Sequence, residues 1–392
     1  MKSFYIRILI GFAIVSCSCS HKDHSVTLIR QNGNPLMIMN QNRISDSIII
    51  NLSDIAKDLK FIRLETNPEC LIARSTYYIT DKYILAKTKN GIFQFDINGK
   101  FMRNLVTRGE GPREFSEAEW VVDEKKERLI LADEQKTTYF LYFDLKTGEY
   151  LGDIPKAIQG VTRKFVLTKY GSLACVPYLS PGTDPGPLYL YWQDLEGKLI
   201  DMVRGPADLG IFRGNYLSQI PEGYRYQLAI NNKDTIYTLR EKALIPYLAF
   251  NHGEEVPENM DETGFRIMKI VLETDRYLFL CKDQITHVVK SENNPSTSWN
   301  SSEYVLDKDH SKAFAIPGIF NDLVGASEPA QFFKILPNAV IYTALQTLEL
   351  LGMAERAIAN PKSDQKLIGR MEEIRDQLNR DDNPVLLVGK IK

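Results

Sequence analysis

From residue 47 onward the chain is a succession of short apolar runs, rich in β-branched and aromatic residues and broken by Asp, Asn and Gly. That texture predicts strands joined by tight turns. Ser47–Leu52 and Lys60–Glu65 open the series, followed by Tyr83–Ala86, Gly91–Phe95 and Phe101–Leu105. Trp120–Val122, Arg128–Ala132, Tyr139–Phe143 and Tyr150–Ile154 then repeat the arrangement. The runs are in register with one another. Phe95, Phe143, Trp192 and Leu239 recur at spacings of 48, 49 and 47. After the first three stand similar words: Asp96-Ile97-Asn98-Gly99-Lys100, Asp144-Leu145-Lys146-Thr147-Gly148 and Asp194-Leu195-Glu196-Gly197-Lys198. Each reads as strand, Asp-led turn, strand, because an Asp side chain accepts hydrogen bonds from the backbone just ahead of it.

A period of this length with hairpins inside each unit predicts an all-β chain folded as a β-propeller. Leu59 to Thr343 holds 285 residues, about 5.9 periods, so six blades are expected. His287 falls 48 residues after Leu239 and carries the count into the fifth blade. The sixth is degenerate, with Ala313–Ile316, Phe332–Ile335 and Ala339–Tyr342 as its strands. Helical periodicity then interrupts the series over about 344–380. Leu367, Met371, Ile374 and Leu378 form one apolar stripe, which is expected to pack on the blades. A last strand, Val385–Ile391, follows and is expected to join a blade begun elsewhere in the chain. A Pro/Gly-rich insertion at Ser180–Pro187 interrupts the third period.

The first sixteen residues lie outside this pattern. Lys2 and Arg7 precede the short apolar core Ile8–Val15, as in a secretory signal. The segment ends Ile14-Val15-Ser16-Cys17, which has the form of a lipobox with Cys17 as the acylated residue. Residues 1–16 are therefore expected to be a lipoprotein signal peptide, 17–45 a polar lipid-anchored tether, and 46–392 the propeller. An N-terminal lipid would anchor the domain to a membrane. Ser18 after the cysteine points to the outer membrane, with its periplasmic face favoured over the cell surface.

A formal net charge of −2 with mixed charges gives no basic stripe for nucleic acid. Beyond Cys17 and Cys19 remain Cys70, Cys175 and Cys281, which read as buried small hydrophobes, with one unassigned disulfide left open.

The sharpest word is Arg108-Gly109-Glu110-Gly111-Pro112-Arg113-Glu114-Phe115, between the first and second periods. Gly109, Gly111, Pro112 and Phe115 read as the bend joining two blades, with the aromatic ring between them. Arg108, Glu110, Arg113 and Glu114 are the candidate ligand-facing side chains. This word, the Arg63-Leu64-Glu65-Thr66 segment, the Asn383-Pro384 ending and the lipobox together resemble the six-bladed β-propeller lipoproteins of Bacteroidota. Those proteins are similar to NHL-repeat proteins. The resemblance implies fold and envelope location and adds almost nothing on activity.

No catalytic set is recognised. His252, His287 and His310 have no metal-ligand spacing, and Asp123, Asp133 and Asp144 read as turn formers. No metal site is assigned; a calcium ion in the central channel is the cofactor the alternative would need. The expected function is non-catalytic binding of a protein, peptide or glycan through a propeller face. The alternatives are a calcium- or zinc-dependent lyase or lactonase acting in the channel, and a structural subunit of an envelope complex.

Overall fold

The computed structural model describes residues 25–73, 75–178, 188–204, 216–220, 223–230, 233–240, 243–251, 266–289, 296–325, 329–330 and 333–392. The chain is mostly β, arranged in several four-stranded antiparallel sheets. The first contains Thr76–Ile79, Tyr83–Lys87, Gly91–Asp96 and Phe101–Thr107; the second contains Ala118–Asp123, Arg128–Asp133, Tyr139–Asp144 and Tyr150–Pro155. The third contains Val161–Leu167, Leu173–Tyr178, Leu188–Gln193 and Leu199–Arg204. The fourth runs Tyr216–Ile220, Gly223–Ile230, Lys233–Arg240 and Ala243–Asn251, and the fifth Arg266–Glu273, Tyr277–Val289, Ser296–Asp307 and Lys312–Ile316. The sixth is assembled from both ends of the chain, in the order Lys334–Ile335, Val340–Leu345, Val385–Ile391 and Ala56–Arg63. A small three-stranded sheet joins Ile50–Asn51, Ile319–Phe320 and Pro329–Ala330.

Apolar cores lie between sheets and follow chain order. The first and second sheets share a core through Phe95, Leu129 and Leu141. Val121 and Phe140 of the second meet Phe165 and Tyr191 of the third, and Trp192 of the third meets Leu239 of the fourth. Ile236 and Leu248 of the fourth meet Leu278 and Leu280 of the fifth, and Phe279 and Val305 of the fifth meet Ile341 and Leu387 of the sixth. The sixth returns to the first, where Val340, Tyr342 and Leu386 pack with Tyr77, Ile79 and Leu85. Tyr342 secures that seam: its hydroxyl donates to Tyr77 O at 2.8 Å and accepts from Tyr77 N at 3.1 Å. Each sheet thus buries both faces against neighbours, and apolar area removed from water is the main stabilising term.

The Asp-led turns form as read. Asp96, Asp144 and Asp194 each accept backbone N–H groups from the residues just ahead of them. Asp123 and Asp133 likewise bond nearby backbone. Cys70, Cys175 and Cys281 are buried and free, so none is in a disulfide. The helical segment resolves into Thr347–Ala359 and Gln365–Gln377. Asp364 caps the second, accepting from Leu367 N at 2.7 Å. Met371 is buried, and Leu367, Ile374 and Leu378 pack beside it on the fifth and sixth sheets. Val385–Ile391 pairs on one side with Val340–Leu345 and on the other with Ala56–Arg63, so the last strand does join one from the start of the domain.

Four expectations change. The tether expected over 17–45 is folded from Ser25 onward. Val26–Gln31 and Asn34–Asn40 form a hairpin that adds to the fourth sheet, the second strand pairing in parallel with Ala243–Asn251. Met39 and Val26 are fully buried there, which is why so polar a stretch is ordered. Ser47–Leu52 is a strand only at Ile50–Asn51; Asn51 then opens a one-turn helix, Leu52–Ile55. The Lys60–Glu65 run belongs to the sixth sheet, and Thr76–Ile79 is the first strand of the first sheet instead. Finally, Ala313–Ile316 lies in the fourth strand of the fifth sheet, not in the sixth. The insertion at Ser180–Pro187 lies outside the described residues.

Candidate functional site

All six large sheets contribute to one cavity of about 1390 Å³. Its walls are chiefly the first strands, represented by Thr76–Tyr78, Glu119–Asp123, Lys164, Ile270–Glu273 and Lys334–Ile335. The two ends of this cavity differ. At one end the first strands finish: Asn338 Nδ2 donates to Ile79 O at 2.8 Å, and Tyr78 donates its hydroxyl proton to Glu124 Oε1 at 2.9 Å. Burial pushes the Glu124 carboxyl up, against the opposing pull of Tyr78 and Asn338. The Asp-led turns joining third and fourth strands close the same end, as antiparallel alternation requires.

At the other end the first strands begin. Lys87, opposite Thr76 in the register, extends Nζ to Ala118 O at 2.5 Å. Lys164 pairs with Glu119 at 2.6 Å. Lys334 opens the first strand of the sixth sheet. Burial pushes the Lys87 and Lys334 ammonium groups down from the usual lysine range, and Lys164 adds to the shift in both. Lys334 is exposed, yet protein walls surround it closely enough for desolvation to act. Like charges from three sheets therefore converge on one mouth.

The connections at this end are the long ones. The two helices run between the second and third strands of the sixth sheet. The second and third strands of the fifth sheet extend to 13 and 12 residues and project past their neighbours. The word Arg108–Phe115 is also at this end, joining the first sheet to the second. Glu114 folds back so that its Oε2 accepts from Gly111 N at 3.0 Å. A Cβ on Gly109 would stand 2.0 Å from that oxygen, so a larger residue there would push the Glu114 carboxylate out of this fold-back. Phe115 is buried between the first two sheets. Arg113 lies over the Tyr150 ring at 5.0 Å, Arg108 reaches Lys89 O at 3.4 Å, and Glu110 is exposed. None of Arg108, Glu110, Arg113 and Glu114 lines the cavity.

The chain belongs to the DUF4934 family, a domain of unknown function. The family's profile matches residues 38–390. No curated protein matches the chain. Among solved structures it is similar to the crystal structure of a "Putative exported protein" from Bacteroides fragilis NCTC 9343. The two are 17% identical, the match covers 91% of this chain and 99% of that one, and the TM-score is 0.61. The structure of U3-55K also matches, at 9% identity over 84% of this chain and 98% of that one, with a TM-score of 0.40. The first likeness supports the arrangement of sheets described above; the second carries no argument.

Within this DUF4934 chain the Asn383-Pro384 ending is a structural knot. Asn383 is buried; its Oδ1 accepts from Ile72 N at 2.7 Å, and its Nδ2 donates to Glu65 O and Cys70 O at 2.7 and 2.8 Å. Cys17 lies outside the described residues. Among the described residues, no group of three or more His, Cys, Asp or Glu side chains is placed to hold a metal ion. His310 bonds Asp307 through Nδ1 at 2.9 Å in a turn, and His287 is exposed on a strand; His252 lies outside the described residues. Sequence reading missed Lys87, Lys164 and Lys334. Each is a lone lysine beside apolar strand residues, and nothing in one dimension joins them.

Proposed function

We propose that the six sheets are the blades of a closed six-bladed propeller, and that the protein is an exported, lipid-anchored envelope protein that binds a ligand without transforming it. One observation carries the binding reading: a cavity of about 1390 Å³ is walled by every large sheet, and the long connections gather at one of its ends. Binding sites favour concave, preformed surfaces of this kind, and variable function sits in the loops a rigid scaffold presents. The lysine-rich mouth disfavours the calcium or zinc alternative there, since three ammonium groups repel a cation. The helices, whose apolar stripe packs on the fifth and sixth sheets, offer the subunit reading no free apolar face along that stripe.

Export and anchoring rest on the signal-like leader and on Cys17. They accord with the exported Bacteroides relative, and no helix among the described residues is long and apolar enough to cross a membrane. Radiolabelled palmitate incorporation in the native host, lost in Cys17→Ala, tests the anchor. For the binding reading, a thermal-shift screen of glycans and peptides is compared between wild type and Thr76→Trp, which narrows the cavity. A ligand whose stabilisation disappears in Thr76→Trp, and which is recovered unchanged after incubation, is the expected result. A ligand recovered as product makes the protein an enzyme, and one indifferent to Thr76→Trp moves the site elsewhere.

A further inference from the structure

Folding does not account for the lysines at the cavity mouth. Lys87, Lys164 and Lys334 come from the first, third and sixth sheets, and all three line the one cavity. At this mouth the lining offers one carboxylate, Glu119, which is paired with Lys164; the other lining carboxylates, Asp123, Glu124 and Glu273, stand where the first strands finish. Glu117 contributes to the field at Lys87 but stands outside the lining. Lys87 donates to a neutral carbonyl, which satisfies a proton and neutralises no charge. The Lys334 side chain has no ion-pair or hydrogen-bond partner among the described residues. Thr76 Oγ1, across the register from Lys87, is buried without a hydrogen-bond partner in the protein. A native fold that gathers cations and leaves a hydroxyl unpaired at one mouth bears a cost that an anion there would offset.

We propose that this mouth binds a multiply charged oxyanion, with Lys87, Lys164 and Lys334 as its three cationic contacts. Lysine is a flexible point charge with three donors, so the site does not demand the planar fork geometry that arginine reads. The cavity is larger than the roughly 300–1,000 Å³ usual for small ligands. An extended anion therefore fits better than a single inorganic ion, and an acidic oligosaccharide with a carboxylate on successive sugars is the class favoured. This rests on the binding reading above and names the ligand chemistry of that same cavity.

Titration calorimetry on the full chain with trigalacturonate, and separately with inorganic pyrophosphate, tests it. Trigalacturonate is expected to bind wild type, to weaken at least tenfold in Lys334→Gln and in Lys164→Gln, and to weaken as salt rises. Lys82→Gln, whose lysine pairs with Glu127 away from the cavity, should bind as wild type does. Without ligand, Lys334→Gln should melt no lower than wild type, because an unpaired cation has been removed; a lysine kept for folding would melt lower when replaced. Binding of pyrophosphate alone, with the same order among variants, keeps the site and assigns it to phosphate. Failure of both probes, or equal binding by wild type and Lys334→Gln, overturns the proposal. If a neutral ligand still loses its effect in Thr76→Trp, that failure leaves the binding reading standing.

Discussion

Asn383 uses every hydrogen-bonding group of its side chain on one loop. Its carbonyl and both amide protons are bonded to backbone of residues 65–72, and its own N–H donates to Thr66 Oγ1 at 2.8 Å. Truncation strips two buried backbone groups, Ile72 N–H and Cys70 O, of this partner and leaves the part-buried Glu65 O with the Cys70 thiol at 3.2 Å. Asn383→Ala should therefore lower stability by about 3 kcal/mol, read from urea unfolding. Asn383→Asp should fare no better, because it loses both donors and buries a charge. Lys156 is the opposite case, a residue no motif marks. It is only 6% exposed, donates to Lys136 O and Gly160 O, and lies over the Phe140 ring. Burial pushes its ammonium down to about 8, from 10.5. Between those values the folded protein has released the proton while the unfolded chain still holds it, so stability rises with pH through that window. The burial penalty is fully present below about pH 8 and is gone above about pH 10.5, a change of at most about 3 kcal/mol. Urea unfolding at intervals across that range should show a larger rise in wild type than in Lys156→Met, where Lys87 and Lys334 keep their own depressed values. Asn383 was visible in the sequence because it belongs to a recognisable ending. Lys156 was not, because its burial depends on a bend that brings Phe140 and Gly160 around it.

At the scale of elements, the period was readable where each sheet keeps its turn lengths. Phe95, Phe143, Trp192 and Leu239 all fall in third strands. His287 does not; it lies in the second strand of the fifth sheet. The long second and third strands of that sheet insert residues that are themselves strand-like, so a fixed spacing slides past them. The true fifth counterpart is Leu306, followed by Asp307, whose carboxylate accepts from Asp309 N and His310 N as its equivalents do in earlier turns. Arg276 and His310 also donate to it, which holds it down at about 2. The turns matter beyond their own hairpins. Gly99, at φ +89°, sits where a Cβ would stand 2.0 Å from Arg63 O. Glu65 N donates to Gly99 O at 2.7 Å, so this turn ties the first sheet to the strand that completes the sixth. Gly33, at φ +80°, has nothing within 4 Å. Gly33→Ala should cost about 1 kcal/mol, the backbone strain alone. Gly99→Ala adds a backbone clash to the same strain and should cost more than about 3 kcal/mol. Thermal unfolding of the two variants side by side separates the terms; equal losses would mean that the turn is not braced against Arg63.

For the whole molecule, a repeat and its count anticipated sheets that pack in chain order, but not which residues would meet across the cavity. Lys87, Lys164 and Lys334 become neighbours only because the sixth sheet returns to the first, and sequence separation hides that. The same return fixes an orientation. Ser25 is buried and bonded to Ala313 by N–H donation from Ala313 at 2.9 Å, so the described chain starts at the seam between the fourth and fifth sheets. From Cys17 to Ser25 the chain spans at most about 28 Å when fully extended. If Cys17 carries lipid as proposed, that seam is held close to the bilayer, and the edge strand Val26–Gln31 presents Leu28, 61% exposed, beside it. The first sheet shares its cores with the second and sixth, which places Met102 on its outer strand away from this seam. A photo-crosslinking residue at position 28 of lipidated protein on phospholipid vesicles should therefore capture lipid. The same residue at position 102 should not, and Cys17→Ala should abolish the capture. Equal capture at both positions would mean that the anchored domain has no preferred face toward the membrane. Capture at 102 alone would place the tether's exit on the other side of the molecule.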